Sequence, residues 1–414
     1  MVSSTLLPSS ASPASPPARW GAVLALSLAA FALVASEFLP VSLLTLIAAD
    51  LHITEGQAGQ GIAVSGAFAL VTSLLVAPLT AHWDRKPLLI GLTGLMVFSG
   101  AVVALAPNAA VFMAGRALIG VAIGGFWSLS AATAMRLVPE HRVPRALAVL
   151  NGGNALASVV AAPLGSLLGA WVGWRGAFFC VVPVALATVA WQSLRLPALP
   201  ARTRPRSRTA NPLELMRRRP VAIGMVAVSL FFMGQFTLFT YLRPFLETVT
   251  QVSPMTLSAL LLGIGLAGLV GTGLIGRLLD EQLFRTLALI PALMAVIALA
   301  LIGLGPSLPA TAVLLVLWGL IATSAPVAWW TWLARTLPDE AEAGGGLMVA
   351  IVQLAITLGA TVGGVLYDHR GHAATFGASA VVLVLAAGLA RQAGRSRAQG
   401  ATGQTPARSP ATHC

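Results

Sequence analysis

Four polar side chains sit in runs apolar enough to be hydrocarbon-facing. Glu37 lies in LVASEFLPVSLLT at 33–45, and Arg116 divides two apolar stretches, 87–115 and 117–135. Gln235 and Gln353 fall within the uncharged runs 220–242 and 343–367. An ionisable group at such depth costs free energy and marks a functional position by default. A carboxylate there is suited to carrying a proton, although a neighbouring helix can equally hold it as a structural hydrogen-bond partner. Arg116 has two roles open to it: it can shape a polar cavity, or its long stem can reach the interface or brace helix backbones. The two glutamines need partners, either across a helix seam or on a solute.

Spacing ties further residues to these. Arg116, Gly120, Gly124, Trp127 and Ala131 recur every three or four positions and so share one helix face. Phe231, Gln235 and Phe239 form a second stripe, with Tyr241, Arg243 and Pro244 beyond it. Aromatic rings such as Trp127, Phe231 and Phe239 can stack on a planar solute whose edge Gln235 hydrogen-bonds. Trp318 precedes a tight group, Trp329, Trp330 and Trp332, whose spacing predicts an interfacial belt. Asn151 and Asn154 are weaker polar candidates. Small residues at 157, 161, 165 and 169, and at 263, 267 and 271, predict close helix–helix seams. Pro40 loosens the backbone three residues after Glu37.

No enzyme signature accompanies these residues. The single lysine, Lys86, lies between Arg85 and Pro87, which rules out a Walker P-loop. H-E-x-x-H and G-x-S-x-G do not occur, and two cysteines support neither a disulfide framework nor a zinc site. The chain is therefore read as no enzyme, with no cofactor and no metal.

The elements that must position these residues follow from composition. Of 414 residues, 57% are apolar and 9% charged, against about 25% charged in soluble domains. Uncharged runs occupy 20–36 (extending past one acid to 49), 56–83, 87–115, 117–135, 146–174, 176–194, 220–242, 248–276, 286–334, 343–367 and 371–390. A span needs about 20 residues, and 286–334 breaks at Gly-Pro-Ser-Leu-Pro 305–309, so twelve helices are predicted. With the N-terminus inside, all but four of the 25 basic residues (Arg116, Arg175, Arg243 and Arg370) fall on the cytoplasmic side. That asymmetry predicts two cytoplasmic termini and explains the +12 net charge without a nucleic-acid partner. The predicted organisation is a disordered tail 1–19, a six-helix bundle 20–196, a basic linker 197–219, a second bundle 220–393 and a disordered tail 394–414.

Several motifs carry a family resemblance over about 20–393. They are R-x-x-x-G-x-x-x-G at Arg116, Gly120 and Gly124, AAPLGSLLG at 161–169, and GWR at 173–175. The chain resembles the drug:proton antiporter branch of the major facilitator superfamily. A degraded form of that family's helix 2–3 motif occupies 77–86, keeping only Arg85 and Lys86 at its end. The Asp of the family's cytoplasmic charge latch is missing, so Arg277 and Asp280 of the second half are expected to carry more of it. EFLPVSLLT at 37–45, GGFWSLSAATAMRLVP at 124–139, GQFTLFTYLRP at 234–244 and WWTWLARTLPDEAE at 329–342 resemble the purine ribonucleoside exporters within that branch.

The resemblance implies an all-α membrane protein of two pseudo-symmetric six-helix bundles, with helices 1, 4, 7 and 10 lining a central cavity. It implies a monomer in a bacterial inner membrane that exports inosine- or guanosine-like nucleosides against inward proton flow. On that reading Glu37 couples the proton, and Arg116, Trp127, Phe231, Gln235, Phe239, Tyr241, Trp318 and Gln353 meet the solute. Its partners are the solute, protons and the lipid bilayer. Alternatives are a drug or sugar exporter, or a transporter-like receptor that senses its ligand without moving it.

Overall fold

The architecture comes from a computed structural model, which describes residues 18–200, 212–337 and 340–402; side chains at 77–78, 212–213, 276–281, 341–343 and 395–402 are also not described. Every regular element among the described residues is helical. In chain order they are α1 (Trp20–Leu51), α2 (Glu55–Leu79), α3 (Arg85–Ala104), α4 (Ala109–Arg136) and α5 (Val143–Arg195). The short α6 (Pro212–Leu215) precedes α7 (Arg219–Phe239), α8 (Leu242–Thr248) and α9 (Pro254–Leu304). The chain finishes with α10 (Leu308–Ala322), α11 (Ala325–Thr336) and α12 (Ala341–Thr402). A one-turn 3-10 helix, Glu140–Arg142, leads into α5.

Ten of the described segments are long and apolar enough to cross a bilayer. Two of them, Glu140–Arg195 and Gly344–Gly394, run to 56 and 51 residues. At 1.5 Å per residue each exceeds about twice the 30 Å hydrocarbon thickness. Each also breaks once, at Gly173 (φ 73°, ψ 170°) and at Gly371 (φ 72°, ψ −171°). That backbone region is open to glycine almost alone. Counting each broken rod as two spans gives the twelve expected from sequence. The third long rod, α9, turns at Gln282, so its two spans are counted separately already.

Prolines mark three other spans and divide two of them. Pro40 lies inside α1, which remains helical through it. Pro244 removes the donor for Thr240 O, and the seventh span divides there into α7 and α8. Pro326 does the same to Ala322 O, and the tenth span divides into α10 and α11.

Apolar side chains gather in each half. One core holds residues of 215–390 with Ala162, and others hold residues of 22–199. Gly120 and Gly124 have no room for a β-carbon against Ser65 O and Ala69 O, so α4 lies directly on α2. The small-residue seams also form: Ala157 and Ala161 pack with Val34 and Ala35 of α1, and Gly271 meets Leu320 O of α10.

Several expectations shift. The tryptophan cluster is not a belt: Trp329 and Trp332 are buried in the C-half core, and only Trp330 is exposed, at 47%. Trp332 reaches that core because Gly224 of α7 leaves space for its ring. Residues 368–370, expected in a connector, remain helical up to the Gly371 break. The last helix runs on to Thr402, into the expected tail. Residues 1–17, 201–211 and 403–414 of the expected tails and linker lie outside the described residues.

Gly173→Ala and Gly371→Ala will each force a β-carbon into this glycine-only region, at a cost of about 1–3 kcal/mol. Thermal unfolding of the detergent-solubilised protein will show a lower midpoint for both, while Gly346→Ala, in open space within α12, will leave it unchanged or raise it.

Candidate functional site

Helix α1 passes the middle of the molecule at Ser36–Pro40, and the local chemistry begins with that proline. Pro40 has no N–H, so Ser36 O lacks its helical partner. Arg116 of α4 takes this carbonyl: its Nη1 donates to Ser36 O at 3.0 Å. The same guanidinium donates through Nη2 to Glu37 O at 3.4 Å and Ser65 Oγ at 3.1 Å, and through Nε to Gly61 O at 3.0 Å. Arg116 is 0% exposed. Its geometry is that of a brace joining α1, α2 and α4, with four of its N–H···O contacts on protein oxygens.

Glu37 itself is half-buried. Its carboxylate lies near the Arg116 guanidinium and the Gln353 side chain of α12. Thus one carboxylate of the N-half meets an amide of the C-half. Gln353 is 6% exposed, and its Oε1 is buried without a partner. Gln235 Oε1 on α7 is buried and unpartnered as well. A buried orphan acceptor costs about 1–3 kcal/mol.

Aromatic groups flank this polar level. On one side, Phe31, Phe38 and Trp127 pack against Val34, Ala35, Ala157 and Ala161. On the other, Phe38 meets Phe236 at 6.3 Å and Phe239 at 6.5 Å, across the two halves. Ile62, Ala63, Ile356 and Ala360 complete that apolar plug.

Three residues expected to line the cavity lie elsewhere. Phe231 is buried in the C-half core, 5.1 Å from Phe232 and 6.5 Å from Trp329. The cause is helical drift: a four-residue stripe rotates by about 80° over eight positions, so Phe239 faces α1 while Phe231 does not. Trp318 is buried in the same core. Tyr241 is fully buried, donates to Ala360 O at 2.7 Å and stacks on Tyr367 at 5.4 Å.

The expected latch residues hold their own half. Arg85 Nη1 donates to Thr80 O at 3.2 Å and Thr80 Oγ1 at 3.1 Å, and Lys86 Nζ to Ser193 O at 2.9 Å. Beside them Asp84 caps α3 at Lys86 N, 2.7 Å, and accepts from Leu199 N at 3.0 Å. The side chains of Arg277 and Asp280 lie outside those described.

Sequence reasoning missed the contacts that close the end of the bundle carrying Asp50. Arg175 pairs with Asp50 there and lies over the Trp174 ring at 4.3 Å. Arg243, 4% exposed, donates to Ser42 O and to Thr45 Oγ1 of α1 while pairing with Glu247 at 2.8 Å. Asp368 accepts from Thr54 Oγ1 at 2.5 Å and Gly56 N at 2.8 Å. The only signal for these in the sequence was polarity near predicted helix ends.

Residues 26–355 match the family model described as Major Facilitator Superfamily. The chain belongs to that superfamily. It is 60% identical, over 92% of its length and 95% of the other, to a Pseudomonas aeruginosa protein named transcription regulatory protein OpdE. It is 39% identical to the purine ribonucleoside efflux pump NepI of Salmonella typhimurium, over 89% of this chain and 92% of that one. Among solved structures, a bacterial homologue of the human lysosomal transporter Spinster, inward-facing and unoccupied, superposes with a TM-score of 0.75 at 15% identity. It covers 93% of this chain and 98% of its own. The human organic anion transporter MFSD10 gives 0.64 at 20% identity, covering 90% and 99%. The superfamily match makes the protein a membrane transporter by family and not an enzyme.

The Pro40–Arg116 pairing predicts a rescue. Arg116→Lys loses the planar fork and will leave Ser36 O poorly satisfied, lowering stability by about 1–3 kcal/mol. Pro40→Ala restores an N–H for Ser36 O, so the double variant will be less destabilised than the sum of the two. Thermal melts of the four proteins in a double-mutant cycle measure this; additive losses rule the pairing out.

Proposed function

We propose that this chain exports purine ribonucleosides from the cell in exchange for protons, with Glu37 as the exchanging group and both termini cytoplasmic. The observation that carries the reading is the Glu37 carboxylate midway along α1, beside the Arg116 brace and near Gln353 of the opposite half. A group placed between the halves can be loaded from one side and unloaded to the other. A proton and a solute competing for it produce exchange when each favours a different arrangement of the halves.

Purine ribonucleosides are favoured by 39% identity along 89% of the chain with proteins named for their efflux. The local chemistry suits them. Trp127 and Phe38 offer flat apolar surface, and base–aromatic stacking contributes about 1–3 kcal/mol in single-strand binders. The unpartnered amide oxygens of Gln235 and Gln353 accept N–H or O–H donors, which a nucleoside carries on base and ribose. Drug or sugar export remains the alternative of the same class.

A second reading rests on one observation, the 60% identity to a protein named as a transcription regulator. On that reading the fold binds its ligand and reports occupancy without net transport. Labelled inosine in proteoliposomes separates the two. Counterflow supports the exporter, and binding without flux supports the receptor.

Glu37→Gln keeps the shape and removes titration. It will abolish efflux driven by a pH gradient while inosine counterflow survives. Uphill pumping by Glu37→Gln would overturn the coupling role. Gln235→Ala and Trp127→Ala will each lower resistance of expressing cells to toxic purine nucleosides at unchanged membrane levels. An equal loss for unrelated solutes, with poor expression, would make them packing residues.

A further inference from the structure

Two side chains of the C-half reach onto backbone groups of the N-half at the Asp50 end, and they carry opposite charge. Asp368 places its carboxylate on the N-terminus of α2. It accepts from the Gly56 amide at 2.8 Å and from the hydroxyl of Thr54, the N-cap residue, at 2.5 Å. An anion there meets free N–H groups and the positive end of the helix dipole. Arg243 places its guanidinium on α1, on Ser42 O and Thr45 Oγ1. The carboxylate is matched to the helix pole it touches, while Arg243, paired with Glu247, meets oxygens along the shaft of α1.

Two seams run between the halves. Below Asp368, Thr361 Oγ1 donates to Gln60 Oε1 at 3.2 Å and Thr357 Oγ1 to Ala63 O at 3.2 Å. Gly56 has no room for a β-carbon, because Asp368 Oδ2 and Gly364 O already fill that space. In the second seam Ser258 Oγ donates to Pro163 O at 3.3 Å, and Gly265 lies against the Val159 backbone. Further along the same face of α5 the packing stops: Gly152, seven residues before Val159, is exposed and has nothing within 4 Å of a β-carbon. The two halves are therefore joined along both seams toward the Asp50 end, and the second seam is open at Gly152.

We propose that Asp368 and Arg243 form a two-pronged latch that holds the Asp50 end shut and is released once in each cycle of access. The proposal rests on the reading of the chain as a transporter of alternating access, but not on its solute. Asp368 grips the N-cap of α2 and Arg243 a carbonyl and a hydroxyl in the last third of α1, so the latch engages only when both helices reach this position. Gly56 sets how closely the halves approach.

The test uses the full chain in lipid nanodiscs, where both faces are accessible, with Cys180 and Cys414 replaced by serine. Two reporters are read separately by maleimide labelling rate: Ala63→Cys in the closed seam, and Gly152→Cys in the open one. Adding Asp368→Ala will raise the Ala63→Cys rate by about tenfold or more, the factor for losing hydrogen bonds to a charged group. The same change will slow labelling at Gly152→Cys. Thr54→Val, which removes one of the two bonds, and Gly56→Ala, which crowds the carboxylate, will act in the same directions. They carry the test if Asp368→Ala does not fold. Any pattern other than opposite changes at the two reporters overturns the proposal; a rise at both marks Asp368 as a packing residue. No solute enters the assay, so its failure is distinct from a failure of inosine counterflow.

Discussion

A guanidinium sealed in an apolar interior must find its acceptors inside the protein, and Arg116 finds one that Pro40 has released. Proline leaves Ser36 O without a helical donor, and Arg116 arrives from α4 at 3.0 Å to supply one. Each defect relieves part of the other. A buried charge without partners, or an open carbonyl in hydrocarbon, costs several kcal/mol. Together they fix the height and rotation of α1 against α2 and α4, and with them the position of Glu37.

The breaks in the other central spans extend this logic. The seventh span divides before Pro244 and the tenth before Pro326. Irregular backbone at membrane depth survives where protein covers it: the seventh-span break is covered by α2 and α12 through Tyr241, and the tenth by α9 through Thr323. The result is a molecule several of whose long rods are interrupted along their length. α1 is gripped from both directions, permanently by Arg116 of its own half and across the divide by Arg243.

Much of this was legible in the residues. Apolar run lengths gave the helices and their number, because a bilayer fixes the length a span must have. The seam at 157, 161, 165 and 169 was legible because small residues at that spacing have few other uses. The fates of Phe231, Trp318 and Tyr241 were not, since an apolar ring reads the same whether it faces a cavity or a neighbouring helix. Trp329 and Trp332 looked interfacial because cluster spacing does not reveal the groove that Gly224 opens for one of them. Asp368 was hidden for another reason. Its partners, Thr54 and the Gly56 amide, lie more than 300 positions away, and one of them is backbone.

The glycine joints at 173 and 371 have a practical consequence for the Asp50 end. There, paired spans turn on a single residue, and the other described connectors, such as 52–54, 105–108 and 305–307, are only a few residues long. Among the described residues, that face offers no loop long enough to fold over an opening as a lid. Passage through it has to come from whole helices tilting. The same economy makes it a poor place for an epitope tag or a protease site, since an insertion would interrupt a helix or a one-residue turn.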